Sequence, residues 1–176
     1  MSRPRLSPEK WIAAGFEALA ALGPQALAAE PLARRLGTTK GSFYWHFKDV
    51  PTFQGALIDT WREEALAALA ASVASGGNPD QRLRQLGRDI LSDHTEIALR
   101  IWGRTDVRVG QSLKLIDEER LTYISLLLRE LGLGNADFAI ALQATLAGLP
   151  GLPASEAAGQ LRIFDTLIDT VLALSE

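Results

Sequence analysis

The sequence predicts an all-α fold of about nine helices, in which a three-helix N-terminal unit precedes a longer helical body. Apolar residues recur every three or four positions, as at Ile12, Phe16 and Leu19 in the first predicted helix. Glycine and proline interrupt this periodicity at 76–79 and 150–153, where helices are expected to end. The chain of 176 residues is 47% hydrophobic, which is enough for one sizeable core or for a small domain joined to a larger one.

Composition argues against several classes of protein. The sequence has no cysteine, which excludes a disulfide framework and a thiolate nucleophile, and two histidines are too few for a dedicated metal cluster. It contains no glycine-rich phosphate loop and no zinc-protease or serine-hydrolase motif. We therefore expect no enzyme activity, no cofactor and no metal. Neither a membrane span nor a signal peptide is recognisable, so a cytoplasmic location without a membrane partner is expected.

The charge of the chain is unevenly distributed, although its net value is only −3. Residues 1–50 carry seven Lys or Arg against four acidic residues, and the rest of the chain carries eleven against seventeen. A basic end on an acidic body suits a protein that meets phosphates at that end. Arg3 and Arg5 precede the first helix and are either a frayed terminus or an arm that adds DNA contacts.

The stretch LARRLGTTKGSFYWHF, residues 32–47, predicts two short helices at 30–36 and 39–47 that are hinged at Gly37 and Thr38. Gly37 supplies the backbone freedom that favours a helix C-terminus, and Thr38 or the next threonine can cap the following helix. Such a helix-turn-helix unit can place its second helix in the major groove of DNA.

The second of these helices presents aromatic residues on two sides. Phe43 and Phe47 lie together on a helical wheel and are expected to point inward, which leaves Tyr44 and Trp45 outside. Exposed aromatic rings are costly unless a partner covers them. Gly41 inside a helix costs about 1 kcal/mol relative to alanine. Close approach of DNA would explain these features, and aromatic packing within a larger core is the alternative.

The segment ARRLGTTKGSFYWHFKD resembles the TetR family of bacterial transcriptional regulators, sharply over about residues 7–49 and elsewhere only in helix number and length. The resemblance implies a DNA-binding domain at 1–49 and an effector-binding and dimerisation domain at 50–176, connected by helix four. The family commonly has a basic residue where Val50 stands, so a phosphate contact there is in question and Lys48 is the candidate substitute. The family positions imply DNA contacts from Thr38, Thr39, Lys40, Gly41, Ser42, Tyr44, Trp45 and His46.

Helices four to seven carry aromatic and aliphatic side chains with few polar atoms, which favours a cavity for a hydrophobic or aromatic small molecule. For any one of these residues the alternative is an ordinary place in a packed core. The candidates for the cavity wall are Trp61, Leu91, His94, Ile101, Trp102, Leu113, Ile116 and Tyr123. The acidic run on helix seven, Asp117, Glu118 and Glu119, is expected to form a solvated face and not a metal site, since no histidine lies in register with it.

The last predicted helix is apolar on two sides, and Ile163, Leu167 and Leu174 form the second of them. One chain cannot cover both sides unless the helix is buried, so we expect a homodimer with a twofold four-helix interface built by helices eight and nine. A dimer would also space two recognition helices about 34 Å apart, or a multiple of that distance. The predicted interface residues are Ala141, Ala144, Gly148, Leu161, Phe164, Ile168 and Val171.

Together these features predict a homodimeric, ligand-responsive transcriptional regulator that binds double-stranded operator DNA, most simply a repressor whose effector changes the separation of its DNA-binding ends. One alternative is a helical small-molecule or acyl-chain carrier with a vestigial DNA-binding end, which Val50 favours. A second alternative is a dimeric scaffold whose Tyr44 and Trp45 are covered by another protein. Only the regulator predicts DNA binding that weakens steeply with salt.

Overall fold

A computed structural model describes residues 6–152 and 157–175, and within that part of the chain it contains nine α-helices and no strand. The predicted all-α fold is confirmed. Arg3 and Arg5 lie outside the described residues. Short 3₁₀ turns follow α1, α8 and α9. The helices are α1 Pro8–Leu22, α2 Ala29–Arg35, α3 Lys40–Tyr44, α4 Val50–Ala74, α5 Pro79–Leu91, α6 His94–Trp102, α7 Val107–Glu130, α8 Ala136–Gly148 and α9 Ala157–Leu172.

Short polar side chains fix where several helices begin. The Asp49 carboxylate accepts a hydrogen bond of 2.7 Å from the amide of Thr52, which satisfies one of the free N–H groups at the start of α4. Hydrogen bonds from the side chain and the amide of Thr52 lower the pKa of Asp49 below its ordinary value. The same type of cap starts the next four helices, from Asn78 for α5, Asp93 for α6, Asp106 for α7 and Asn135 for α8.

Two hydrophobic clusters hold the helices together, and the first crosses the predicted domain boundary at residue 49. This N-terminal cluster combines α1 to α4 with α6 and the start of α7, so part of the body packs directly against the N-terminal helices. The C-terminal cluster joins α5, the rest of α7, α8 and α9. The N-terminal cluster includes Trp11, Leu19, Phe43, Phe53, Leu57, Trp61, Leu99, Trp102 and Val109, and the C-terminal cluster includes Leu83, Ile90, Ile124, Leu127, Leu142, Leu146, Phe164 and Ile168.

Glycines permit the closest helix crossings in both clusters. A Cβ added at Gly15 would lie 2.6 Å from Leu57 and 2.7 Å from Phe53, so α1 and α4 approach too closely for any larger residue there. A Cβ at Gly87 of α5 would lie 2.3 Å from the ring of Phe164 on α9. None of the described helices is both long and apolar enough to cross a membrane.

Candidate DNA-binding surface and effector cavity

The turn between α2 and α3 has the geometry that the sequence predicts. Gly37 adopts a left-handed backbone with a φ of 61°, and the amide of Thr38 donates to the carbonyl of Ala33 at 2.9 Å, which closes α2 in a Schellman motif. The Thr39 hydroxyl accepts from the amide of Ser42 at 3.3 Å and caps α3. The turn is therefore fixed by local hydrogen bonds at both of its ends.

Helix α3 is shorter than predicted. Regular helix spans Lys40–Tyr44 instead of 39–47, and Trp45 is its C-terminal cap. The amides of His46 and Phe47 both donate to the carbonyl of Phe43, so the chain leaves the helix in a tight turn. The next helix explains this early end, because its cap Asp49 needs an extended backbone immediately before Val50.

Phe43 anchors α3 to the N-terminal cluster. Its side chain is fully buried, and its ring centroid lies 5.3 Å from those of Trp11, Phe47 and Phe53. The contacts with Trp11 and Phe53 are edge-to-face, a geometry that adds to the hydrophobic contribution of aromatic burial. The predicted inward orientation of Phe43 and Phe47 is confirmed, and it fixes which side of α3 faces outward.

The outward side of α3 exposes its aromatic residues. Trp45 is 88% exposed and Tyr44 is 47% exposed, while Lys40 and Gly41 are also exposed. A Cβ at Gly41 would meet only the Thr39 hydroxyl, 3.7 Å away, so no packing constraint within the described chain requires glycine there. Beside these residues lies a concave surface of about 570 Å³ lined by Leu6, Thr39, Gly41, Ser42, Trp45 and His46.

The positive charges near this surface differ in their partners. Arg34 pairs with Glu30 at 3.1 Å, and Arg35 pairs with Glu17 at 3.0 Å. Both pairs are largely exposed and so contribute little to stability. Lys40 makes no ion pair with any residue that the structure describes. Five of the predicted DNA contacts line this concave surface, and Lys40, Tyr44 and Lys48 are exposed at neighbouring positions of the chain. Their role in DNA contact stays a prediction.

A cavity of about 240 Å³ lies between α4, α5, α6 and α7. Of the eight predicted wall residues, only Trp61 lines it. Ile101 is 55% exposed and His94 is also exposed, so neither faces an interior cavity. The remaining predicted residues are buried in the two hydrophobic clusters, namely Leu91, Trp102, Leu113, Ile116 and Tyr123. The walls include Trp61, Glu64, Ala65, Ala68, Leu69, Ser72, Leu86, Asp89, Ile90, Asp93, Glu96 and Arg120.

Two residues of the cavity wall, Glu96 and Arg120, belong to an ion-pair network that also contains Arg100 and Asp117. Both guanidinium nitrogens of Arg120 donate to the Glu96 carboxylate at 2.7 Å. Arg100 donates to Glu96 at 2.7 Å and to Asp117 at 2.7 and 3.0 Å. The expectation that Asp117 lies on a solvated acidic face is wrong, because its carboxylate is held by Arg100 and Gln143.

The network holds Glu96 in its charged form. Burial by itself would raise the pKa of Glu96, since only 2% of the residue is exposed, but the hydrogen bonds and charges of Arg120 and Arg100 outweigh burial and lower that pKa. Glu96 and Arg100 are four residues apart on α6, and Asp117 and Arg120 are three apart on α7. This helical spacing was the sequence signal that could have predicted the network.

Residues 12–49, which contain the helix-turn-helix segment, match the family model of bacterial regulatory proteins, tetR family. This segment belongs to the TetR family. The resemblance predicted from the sequence is confirmed for this segment, and the role of α3 as a recognition helix stays a prediction. No curated protein matches the chain.

Solved structures of regulators share the fold over almost the whole chain. A transcriptional regulator from Rhodococcus sp. Rha1 is 24% identical with a TM-score of 0.77, and the match covers 96% of this chain and 97% of that one. A protein described as a TetR-family regulator from Rhodococcus sp. is 18% identical with a TM-score of 0.74, over 94% and 98% of the two chains. A regulator from Saccharomonospora viridis, crystallised with choline, is 13% identical with a TM-score of 0.75, over 92% and 95%. These matches show that the chain shares the fold of these regulators over almost its whole length.

The predicted dimer surface needs one correction on α9. Phe164, Ile168 and Val171 are buried within the chain's own C-terminal cluster, because Gly87 of α5 leaves room for the ring of Phe164. These three side chains are therefore unavailable to a partner. Leu161 is half-buried. Ala141, Ala144 and Gly148 are exposed, as are Ile140, Ile163 and Leu174, and their place in a dimer interface stays a prediction.

Proposed function

We propose that this TetR-family regulator is a repressor that binds operator DNA through α3 and releases it when a small molecule occupies the cavity. The observation that carries the proposal is the exposure of Trp45 and Tyr44 on a helix whose other side is fixed by buried Phe43. DNA would cover these rings, and exposed Lys40 would pair with phosphates. Gly41 would allow the backbone to approach the duplex closely.

The N-terminal cluster gives a physical route from the cavity to the DNA-binding end. Glu96 of α6 lines the cavity, while Leu99 and Trp102 of the same helix are buried against the N-terminal helices. A ligand that prefers a shifted α6 would therefore also favour a shifted DNA-binding end. The choline complex of the Saccharomonospora viridis regulator supports the idea that this fold admits a small ligand.

We also propose that the protein acts as a homodimer. Exposed apolar surface remains on α8 at Ile140 and Ala144, on α9 at Ile163 and just after α9 at Leu174, and a second copy would bury it. A twofold contact places the same face of each copy against the other. Two recognition helices would then read two half-sites, which is how dimeric helix-turn-helix proteins bind DNA.

Val50 has a structural explanation that does not require a vestigial DNA-binding end. It is the first residue of α4 and packs against the N-terminal cluster. An apolar side chain there strengthens the junction of α3 and α4, so the absence of a basic residue does not by itself favour the carrier alternative. The DNA contact at this point would fall to the neighbouring Lys48, which is exposed.

The test compares the DNA affinity of Tyr44→Ala and Lys40→Ala with that of the control variant Lys114→Ala. Lys114 is an exposed lysine of α7, far along the chain from α3. DNA selected from random sequence by the wild-type protein provides the probe for fluorescence polarisation. Each α3 variant is expected to weaken binding about tenfold or more, while Lys114→Ala leaves it unchanged. Light scattering should give the same mass for all variants. Undiminished DNA binding by both α3 variants would show that α3 is not the reading element.

A further inference from the structure

The charges that line the cavity between α4 and α7 do not balance. Four carboxylates and one guanidinium face it, from Glu64, Asp89, Asp93, Glu96 and Arg120. Arg120 directs two hydrogen bonds of 2.7 Å to Glu96, so its charge is already compensated. Glu64, Asp89 and Asp93 form no ion pair with any residue in the described part of the chain. The open side of the cavity is therefore electronegative.

The groups that donate hydrogen bonds to Asp89 and Asp93 do not neutralise the negative charge of these carboxylates. Asp93 accepts from the amides of Thr95 and Glu96 as the cap of α6, and Asp89 accepts from the side-chain amide of Gln85. All these donors are neutral. On α5, Arg82 donates to the backbone carbonyl of Ser72 at 3.5 Å and pairs with Glu130 on α7 at 3.5 Å, so its charge is directed away from these three carboxylates.

The rest of the wall suits an alkyl-bearing cation better than a metal ion. Trp61 is 4% exposed and lines the cavity with Ala65, Leu69, Leu86 and Ile90. Tryptophan attracts cations through the negative face of its ring, and the aliphatic residues would cover methyl groups. No cluster of three or more metal-binding side chains is found among the described residues.

We propose that the cavity binds a small organic cation of the alkylammonium class, with its alkyl groups against Trp61 and its charge near Glu64, Asp89 and Asp93. The inference rests on the proposed function, because it names the chemical class of the ligand that the same effector cavity binds. It replaces the hydrophobic or aromatic effector expected from sequence. The volume of about 240 Å³ lies below the range of about 300–1,000 Å³ that is typical of drug-sized ligand sites, so the cation is small.

The test uses three probes of similar shape and different charge: tetramethylammonium, neutral tert-butanol and anionic pivalate. Isothermal titration calorimetry of the full chain measures each dissociation constant without DNA. Tetramethylammonium is expected to bind at least tenfold more tightly than either of the other two. Equal or tighter binding of tert-butanol or pivalate, or no detectable binding of the cation, would overturn the proposal.

Variants identify the site within the protein. Glu64→Gln, at an exposed position of α4, should weaken tetramethylammonium binding about fivefold, whereas its neighbour Glu63→Gln, which does not line the cavity, should leave it unchanged. Trp61→Leu should weaken it about tenfold, and Trp61→Phe should restore most of the loss. Equal effects of Glu63→Gln and Glu64→Gln would place the cation elsewhere.

Operator binding without ligand, measured on the same preparations, separates this proposal from the proposed function. A protein that binds the selected DNA but not the cation would contradict only the ligand class. A protein that binds the cation but no DNA would contradict only the repressor. Release of DNA by tetramethylammonium, and loss of that release in Glu64→Gln, is the result expected when both are correct.

Discussion

Gly41 is the residue whose helix propensity and proposed function conflict most clearly. It is exposed at the second position of α3, and a Cβ there meets only Thr39 at 3.7 Å. Gly41→Ala should therefore raise the free energy of unfolding by about 0.5 kcal/mol. If the backbone approaches DNA closely, the same change should weaken DNA binding. Thermal unfolding and fluorescence polarisation check the two effects, and a variant that gains stability at full DNA affinity would refute the close approach.

Glu96 makes the stability of the fold dependent on pH in the acid range. Its folded pKa is lowered, so the stabilising contribution is complete above the ordinary glutamate pKa and is lost as the pH falls through the folded pKa. Glu96→Gln should reduce the free energy of unfolding at pH 7 by about 3 kcal/mol, because buried Arg120 loses its closest charged partner while Arg100 keeps only Asp117. Denaturant unfolding at pH 3 to 7 should show a shallower pH dependence for Glu96→Gln than for exposed Glu119→Gln. Identical pH profiles would contradict the network's role.

Individual residues differ in how well the sequence predicts them. Phe43 and Trp45 were placed correctly because a strong apolar periodicity decides which side of a helix is buried. Asp117 was misplaced because a charged side chain in a sequence looks solvated until its partner on another helix is known. Seven of the eight predicted cavity residues lie elsewhere, because five of them fill the two hydrophobic clusters and two are exposed, while Trp61 lines the cavity with other apolar and polar residues.

Among the elements, the crossing of α5 and α9 depends on a single glycine. Gly87→Ala would place a methyl group 2.3 Å from the ring of Phe164, and the resulting strain should lower the free energy of unfolding by about 1–3 kcal/mol. Gly55→Ala in α4 is the matched control, because a Cβ there meets nothing within 4 Å, and it should stabilise the protein by up to about 1 kcal/mol. Denaturant titration of both variants checks the difference. Destabilisation by Gly55→Ala or indifference to Gly87→Ala would contradict the packing.

Element boundaries follow from local signals where these are strong. Asn78 and Pro79 start α5, and α4 ends at Ala74, just before the break predicted at 76–79. Helix α3 ends at Tyr44 because only a few residues separate it from Asp49, whose extended backbone caps the next helix. The two sides of α9 could not be ranked from sequence, since both are apolar and only the position of Gly87 decides which side turns inward.

At the scale of the whole molecule, the exposed apolar face on α8 and α9 should determine the oligomeric state. Ile163→Asp places a charge on that face and should convert a dimer into a monomer, with weaker operator binding, because one copy carries only one recognition helix. Val107→Asp, at a 74% exposed residue of α7, is the control and should stay dimeric. Analytical ultracentrifugation and DNA titration measure both. A wild-type monomer, or a dimer that persists in Ile163→Asp, would remove this face from the interface.

The basic N-terminal end on an acidic body underlies the central claim that this molecule reads DNA through α3. The most direct measurement is the salt dependence of binding to selected DNA, in wild type and in Lys40→Ala. The logarithm of the binding constant should fall linearly with the logarithm of salt concentration, and Lys40→Ala should reduce that slope by about 1 for each phosphate that the lysine neutralises. No retention on DNA, or retention that is independent of salt and of Lys40, would contradict the account.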